Sequence, residues 1–156
     1  MENIILNDSI RFSFPDGFRK MSEEELQPVC MDQSGPNVSL RNEDRHVIVS
    51  LGHRHAGLLG AFLSDKDLIK NAQSRISSAM QSFGYRLTGY QDRVLAGKTI
   101  PSFQYTYTTQ GVQMVGECCA MKANKTIYYL HCYVRQSCME EEIQTWKEIL
   151  ETASFS

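Results

Sequence analysis

The sequence predicts an α+β fold, in which an antiparallel sheet of about six strands is flanked by a long central helix and a C-terminal helix. Two observations support this prediction: β-rich runs separated by turns between residues 103 and 135, and apolar residues at helical spacing over 68–83 and 139–153. In addition, the 156 residues, 42% of them hydrophobic, contain no repeat and no linker. We therefore expect one domain over residues 1–156.

The chain begins with short strands. Ile10–Phe14 alternates apolar and polar side chains and stops at the Pro15-Asp16-Gly17 turn, a pattern typical of a half-buried strand. Ile4–Leu6 is short and apolar, which suits the partner strand of a hairpin. We therefore expect the first 14 residues to contribute a strand pair.

A short helix and a second hairpin follow. Ser22 and Glu25 have the spacing of a capping box, which predicts a helix that starts at Ser22 and that Pro28 keeps short. Val38–Leu40 and Val47–Leu51 are β-rich runs joined by polar residues. This pattern indicates a hairpin.

Two amphipathic helices are predicted. Ser64 is the expected N-cap of the first and Gly84 its stop, while Ser137 and Glu140 have the spacing of a capping box for the second. The apolar face of the first helix comprises Leu68, Ile69, Ala72, Ile76, Ala79, Met80 and Phe83. The apolar face of the second comprises Met139, Ile143, Trp146, Leu150 and Ala153.

The strand register follows from two turns. A two-residue loop at Gln110-Gly111 places Phe103 opposite Cys118, and a three-residue loop at 123–125 places Cys118 opposite Leu130. The expected core face consists of Phe103, Tyr105, Tyr107, Met114, Gly116, Cys118, Ala120, Tyr128, Leu130, Cys132 and Val134. The other, mixed face includes Gln104, Glu117, Cys119, Met121, Tyr129, His131 and Tyr133. We expect helices on both sides of the sheet, although helices on one side would fit the same pattern.

Several short segments resemble one known sandwich fold. They are Phe14-Pro15-Asp16-Gly17-Phe18 leading into Met21-Ser22-Glu23-Glu24-Glu25-Leu26, Phe62-Leu63, Phe103-x-Tyr105-x-Tyr107, Tyr128-Tyr129-Leu130 and Trp146-x-x-Ile149-Leu150. In these segments and in element order the chain resembles the PsbP proteins of photosynthetic oxygen evolution, the Ran guanine-nucleotide release factor, and small bacterial relatives such as the DcrB lipoproteins. The resemblance implies a PsbP-like sandwich and binding or assembly roles instead of catalysis. No functional residue of that family maps onto a position in this chain.

Charge and composition narrow the functional classes. The formal charge of −2 and the pI of about 6.1 give no reason to expect a nucleic-acid partner. The N-terminal residues lack the basic and apolar regions of a signal peptide, and no apolar run approaches the roughly 20 residues of a membrane span. Five cysteines without such a signal indicate reduced thiols, so we expect a cytoplasmic protein.

Glu117, Cys119 and His131 are the candidate catalytic residues. In the expected register Glu117 lies opposite His131, and such a carboxylate can orient an imidazole as a general base while Cys119 acts as the nucleophile. A cross-strand ion pair explains the same residues without catalysis. Because no oxyanion donor or glycine-rich elbow lies nearby, we favour the ion pair and keep a small hydrolase or transferase as the alternative function.

His53-x-His55 is a candidate metal site. If His46 or Asp44 lay near these two imidazoles, three ligands would gather, which is the number that a catalytic zinc site uses. No second His-x-His and no Cys-x-x-Cys supports this interpretation, and a polar loop explains the pattern. We therefore expect no metal and no cofactor.

Two surfaces are candidate contact sites. The segment around Gly57 and Gly60 carries Leu58, Leu59 and Phe62, which would dock a partner if exposed and would form a crossover loop if buried. The mixed sheet face offers residues common at contact surfaces: Glu117, Tyr129, His131 and Tyr133. We predict a non-enzymatic protein-binding, assembly or chaperone-like module with a protein partner. A homodimer, and a small apolar ligand held on an open sheet, are the alternatives.

Overall fold

The computed structural model describes residues 2–22, 24, 37–60 and 62–155. Their strands are β1 (Glu2–Leu6), β2 (Ile10–Phe14), β3 (Arg19–Lys20), β4 (Asn37–Asn42), β5 (Val47–His55), β6 (Arg86–Leu95), β7 (Lys98–Thr109), β8 (Val112–Ala123), β9 (Thr126–Arg135) and β10 (Ser154–Phe155). The helices described along their whole length are α1 (Gly57–Gly60), α2 (Asp65–Ala79) and α3 (Met139–Glu151). Short 3₁₀ turns occupy Gln81–Phe83 and Gln136–Cys138.

The strands form two antiparallel sheets. The larger has seven strands in the order β3-β4-β5-β9-β8-β7-β6, and the smaller has the order β1-β2-β10. Helix α2 packs on one face of the large sheet, which we call the α2 face. Helix α3 and the small sheet cover the opposite face, which we call the α3 face. The predicted α+β class and the expectation of helices on both sides are confirmed, and the strand pair β1–β2 is joined by β10 in the smaller sheet.

The first predicted register is correct. Phe103 lies opposite Cys118, Tyr107 opposite Met114 and Thr109 opposite Val112. The connecting residues Gln110 and Gly111 have φ angles of 50° and 76°, as a two-residue turn between twisted strands requires.

The second predicted register is wrong by one residue. Asn124 and Lys125 alone make the turn, with φ angles of 49° and 65°, so that Cys118 lies opposite His131 instead of Leu130. A slip of one residue moves every side chain of a strand to the other face. The hydrophobic pattern did not exclude the slip, because residues 127–134 of β9 are all buried.

The faces of β9 are therefore exchanged relative to the prediction. The α2 face carries Phe103, Tyr105, Tyr107, Cys118, Ala120, Tyr129, His131 and Tyr133. The α3 face carries Val115, Glu117, Cys119, Met121, Tyr128, Leu130, Cys132 and Val134. Both faces are buried, since each packs against helices or against the small sheet.

Both helix starts can be compared with the sequence. Ser64 is the N-cap of α2, its Oγ accepts from the Asp67 N–H, and the Asp67 carboxylate accepts from the Ser64 N–H. Helix α3 differs, because the preceding 3₁₀ turn places Cys138 at the N-cap with no side-chain cap. The predicted capping box of Ser137 and Glu140 is therefore wrong. In the predicted box of Ser22 and Glu25, Ser22 is described, whereas Glu25 lies outside the described residues. Pro28 lies outside them as well.

No helix in the described ranges combines the length and apolar character that a membrane crossing needs.

Candidate functional site

Glu117 and His131 lie on opposite faces of the sheet. The corrected register places Glu117 opposite Cys132 and His131 opposite Cys118. Neighbouring residues of a strand pair that share a register position point to the same side, so the two side chains of the expected acid–base pair have the sheet between them. The contact between Glu117 and His131 that the hydrolase alternative requires is therefore absent.

Glu117 is instead the centre of a buried polar network on the α3 face. Its side chain is fully buried, with 0% of its surface exposed. Arg93 donates through Nε to Oε2 at 2.9 Å and through Nη2 to Oε1 at 2.7 Å. Trp146 Nε1 donates to Oε2 at 2.6 Å, and Gln91 and Gln104 donate to Oε1 at 3.2 and 2.8 Å. A buried carboxylate needs such donors to offset its lost hydration.

The thiols beside this network are poor nucleophiles. Burial, and secondly the Glu117 charge, raise the pKa of Cys119 well above its ordinary value. The same two causes raise the pKa of Cys132, which lies opposite Glu117. Because the thiolate is the reactive form, both residues are unreactive near neutral pH. The expected pairing of Cys118 with Cys132 on one face also fails, since Cys118 lies on the α2 face.

His131 belongs to an aromatic cluster on the α2 face. Tyr105 Oη lies 2.6 Å from His131 Nε2, and Tyr133 Oη lies 3.4 Å from Nδ1. The Tyr133 ring stacks on the imidazole with a centroid distance of 4.2 Å, and the Tyr105 ring meets its edge. Burial raises the pKa of Tyr105 well above its ordinary value, so the phenol keeps its proton. The cluster is a packed, hydrogen-bonded part of the core.

Gly116 makes room for this cluster. Tyr105 and Tyr133 both lie opposite Gly116 in the register, on either side of β8. A Cβ atom at this position would lie 2.2 Å from Tyr105 Cζ. The Tyr105 ring can therefore cross β8 toward His131 only because residue 116 has no side chain.

Tyr129 contacts two arginines at one end of the α2 face. Arg54 Nη2 donates to Tyr129 Oη at 3.1 Å, and the Arg54 and Arg75 guanidinium carbons lie 5.6 and 4.8 Å from the Tyr129 ring centroid. Cation–π contacts of this kind hold the ring in place. Tyr129 is 8% exposed, His131 5% and Tyr133 2%. The predicted contact surface on the mixed sheet face is therefore buried, and an open sheet for an apolar ligand is not present in the described residues.

The histidines do not converge. His53 and His55 lie at the end of β5, whereas Asp44 and His46 lie in the turn before its start. The nearest members of the two groups, His46 and His53, are seven residues apart along extended chain, a distance of about 23 Å. Across the parts of the chain that the structure describes, no cluster of three His, Cys, Asp or Glu side chains is arranged to hold a metal ion.

Leu58 and Phe62 remain as predicted contact residues at the surface. Leu58 is 90% exposed and Phe62 is 88% exposed, more than any other large hydrophobic side chain in the described ranges. Helix α1 contains Leu58 and ends at Gly60, and a turn bond from Leu63 N–H to Gly60 O follows. The Leu59 side chain and Ala61 lie outside the described residues. We call Leu58 and Phe62 the exposed pair.

Lys122 fixes the loop that carries the exposed pair. Its ammonium group donates to Gly60 O at 3.1 Å and to Leu63 O at 2.8 Å, so it bonds on both sides of Phe62. Its backbone N–H donates to the Asp65 carboxylate at 3.0 Å, which ties β8 to the start of α2. Sequence reasoning missed Lys122, because nothing in a local pattern links residue 122 to residues 60–65. The backbone on both sides of Phe62 is thus held by Lys122, while the exposed pair stays uncovered.

Other exposed apolar side chains lie elsewhere. Leu87, Tyr90 and Val94 are 36–54% exposed on β6, the edge strand of the large sheet. A bulge between Leu87 and Gly89 interrupts this edge, and Asp92 lies between the apolar residues. Bulges and charges are the usual protection of an edge strand against pairing.

No protein-family model matches the sequence, and a search of curated proteins finds no significant match. The fold is similar to that of the cyanobacterial PsbP protein CyanoP of Synechocystis sp. PCC 6803, with a TM-score of 0.69 and 11% identity, covering 99% of this chain and 92% of that chain. The Ran-binding protein Mog1p of Saccharomyces cerevisiae has a TM-score of 0.64 and 9% identity, covering 97% and 93% of the two chains. LpqN of Mycobacterium tuberculosis, involved in cell envelope biogenesis, has a TM-score of 0.50 and 13% identity, covering 94% and 83%. At these identities the likeness establishes the fold, and the expected PsbP-like sandwich is confirmed.

Proposed function

We propose that this protein is a non-enzymatic binding or assembly module that docks a protein partner through Leu58 and Phe62. The observation that carries the proposal is the combination of exposure and fixation: the pair is 90% and 88% exposed, while Lys122 bonds the carbonyls of Gly60 and Leu63. A loop whose backbone is already held loses little backbone entropy on binding, which favours affinity. Buried anchor side chains of this kind dominate the energetics of many interfaces.

The candidate chemistry does not compete with this proposal. His131 and Glu117 face opposite sides of the sheet, and the Cys119 thiol is buried and protonated. Each is engaged in packing or hydrogen bonds within the core.

The fold likeness supports a binding role by analogy. Mog1p, which shares the fold, is a Ran-binding protein. Because a fold hosts many functions, this likeness supports the class of function and indicates no partner.

Affinity capture with three versions of the chain tests the proposal. The wild type, the double variant Leu58→Ser/Phe62→Ser and the control Ile5→Ser would be immobilised at equal density and exposed to lysate of the source organism. Ile5 is 53% exposed on the small sheet, which covers the opposite face of the large sheet, and thus matches the chemistry of the change outside the 57–63 loop. We expect a specific partner on the wild type and on Ile5→Ser, and its loss from the double variant. Equal capture by all three would refute the assignment of the surface.

A further inference from the structure

We propose that the exposed pair binds an acidic, amphipathic segment of a partner protein, whose apolar side chains cover Leu58 and Phe62 and whose carboxylates meet basic residues beside them. The inference rests on the proposed function, because it names the partner chemistry of the same surface. It is carried by the distribution of charge around the pair.

Basic side chains surround the exposed pair. Lys66 is exposed at the start of α2, four residues after Phe62. Lys125 is exposed in the β8–β9 turn, and its carbonyl accepts from the Ala56 N–H at 2.8 Å, directly before α1. His55 is exposed at the end of β5. These side chains come from three elements that meet at one end of the sheet.

Arg54 adds a guanidinium at the same end. It lies opposite Ile127 in the register, and Ile127 Cδ1 lies 3.7 Å from the place of a Cβ atom on Gly60. One Arg54 nitrogen donates to Tyr129 Oη, while its buried Nε makes no hydrogen bond within the described residues. The Arg54 side chain is only partly buried, so its positive charge favours an anionic group at this end of the sheet.

The acids of this region are already engaged within the fold. Asp65 accepts from the Lys122 N–H and lies 3.8 Å from the Lys98 ammonium group. Asp67 bonds to Ser64, and these bonds lower the pKa of Asp67. The charges of Arg54 and Lys66 therefore remain for a partner.

Acidic side chains also lie at the opposite end of the sheet. Glu43 and Asp44 lie in the β4–β5 turn, and residues 140–142 open α3 with three glutamates. Val47 lies opposite Val134, so both groups occupy the end of the sheet away from His55. Arg19 and Arg45 pair with Glu43 and Glu142 there, so that end carries mixed charge, and the attraction of an acidic partner rests on Arg54, Lys66 and Lys125.

A protein segment fits this surface better than an anionic membrane. The ionised Asp67 lies next to Lys66, and an acid in this position opposes a continuous sheet of anionic headgroups. A peptide can place its carboxylates at Arg54 and Lys66 and avoid Asp67. The fixed geometry of the loop also matches a partner of defined shape.

Selection from a phage-displayed library of random 16-residue peptides, with the full chain as bait, tests the inference. We expect selected peptides to be enriched in Asp and Glu together with Leu, Phe or Trp. In fluorescence anisotropy, Leu58→Ser/Phe62→Ser should weaken a selected peptide at least about tenfold, a change of about 1.4 kcal/mol. Lys66→Glu/Lys125→Glu should do the same and reduce the dependence on salt. The matched control Lys20→Glu changes an exposed lysine on β3, far from the pair, and should alter the affinity less than about twofold.

The outcomes separate this inference from the proposed function. Peptides that need the exposed pair but are neutral or basic would overturn the acidic partner and leave the proposed function intact. Peptides that bind equally to Leu58→Ser/Phe62→Ser would overturn both. Cosedimentation with phosphatidylserine-containing vesicles forms a second arm. If the wild type binds these vesicles, Leu58→Ser/Phe62→Ser does not, and no acidic peptide is selected, the surface takes a membrane and the inference is wrong.

Discussion

At the scale of single residues, Gly116 determines the geometry of the α2 face. The aromatic ring of Tyr105 occupies the space where any other residue at position 116 would place its Cβ atom. The Tyr105 hydroxyl thereby reaches His131 on the next strand but one. A single missing side chain thus links β7 to β9 across β8.

Gly116→Ala should lower the free energy of unfolding by at least about 2 kcal/mol, because the Tyr105 ring must leave its place and break its contact with His131. The matched control is Gly89→Ala on β6, where no atom lies within 4 Å of the added Cβ and the change should stay within about 0.5 kcal/mol. Urea unfolding of the three proteins measures both values. Equal stability of the two variants would show that Tyr105 does not lie over Gly116.

Arg93 and Glu117 form a buried ion pair. Arg93→Met should cost about 3–5 kcal/mol, because it leaves the Glu117 carboxylate buried without its countercharge. Adding Glu117→Gln should recover at least about 1 kcal/mol, since the amide oxygen can still accept from Trp146 and needs no countercharge. A double-mutant cycle by urea unfolding measures this coupling. Strict additivity would mean that the two side chains do not form the pair described.

At the scale of elements, the loop between β5 and α2 combines exposure with fixation. Its carbonyls at Gly60 and Leu63 are held by a side chain from β8, 59 or more residues away in sequence. Its apolar side chains remain at the surface. The stability of this loop should therefore depend on Lys122 more than on its own residues.

Lys122→Met should accelerate amide hydrogen exchange in residues 57–63 at least about tenfold, because two charge-assisted hydrogen bonds are lost there. The amide exchange rates in the buried face of α2, residues 68–76, should change only as much as any change in the free energy of global unfolding accounts for. Lys125→Met changes the neighbouring exposed lysine and serves as the control. Unchanged exchange of the loop in Lys122→Met would contradict the proposed role of Lys122.

Local patterns predicted the elements well and their long-range contacts only in part. The capping box of Ser64 and the turn at Gln110-Gly111 were predicted because each depends on residues adjacent in sequence. The predicted β8–β9 register was wrong because both faces of β9 are buried. The alternation of apolar residues therefore did not indicate which side chains of β9 lie on which face of the sheet. That one slip produced the false pair of Glu117 and His131.

The residues of the candidate site were predicted only in part. Leu58 and Phe62 were identified from their composition around two glycines, but whether they were exposed could not be read locally. The fixation by Lys122 and the unsatisfied Nε of Arg54 arise from packing between distant segments. Such contacts depend on the completed fold, which is why the sequence did not indicate them.

At the scale of the whole molecule, the two buried layers on either side of the large sheet hold thiol and phenol groups in their protonated forms. Burial is the largest cause that raises the pKa of Cys119, Cys132, Tyr105 and Tyr107. In the unfolded chain the thiols release their protons near their ordinary pKa of 9.0. The folded state therefore holds more protons than the unfolded state above this pH.

The contribution of these thiols and phenols to the free energy of unfolding should be constant below about pH 9. It should fall as the pH rises further. Each thiol that loses its proton only on unfolding contributes a slope of up to about 1.4 kcal/mol per pH unit. Urea unfolding between pH 8 and 10.5 measures the slope. The variant Cys119→Ala/Cys132→Ala should show a smaller slope between pH 9 and 10, whatever its absolute stability. Identical slopes would show that these thiols are not buried as described.

Photocrosslinking in cells of the source organism, with p-benzoylphenylalanine placed at position 62 or at position 90, tests most directly whether a partner contacts the exposed pair. Both Phe62 and Tyr90 are exposed aromatic residues, on the 57–63 loop and on the edge strand β6. We predict a discrete adduct with a protein partner from position 62 and none from position 90. Adducts from position 90 alone, or none from position 62, would contradict the central claim that this protein acts through Leu58 and Phe62.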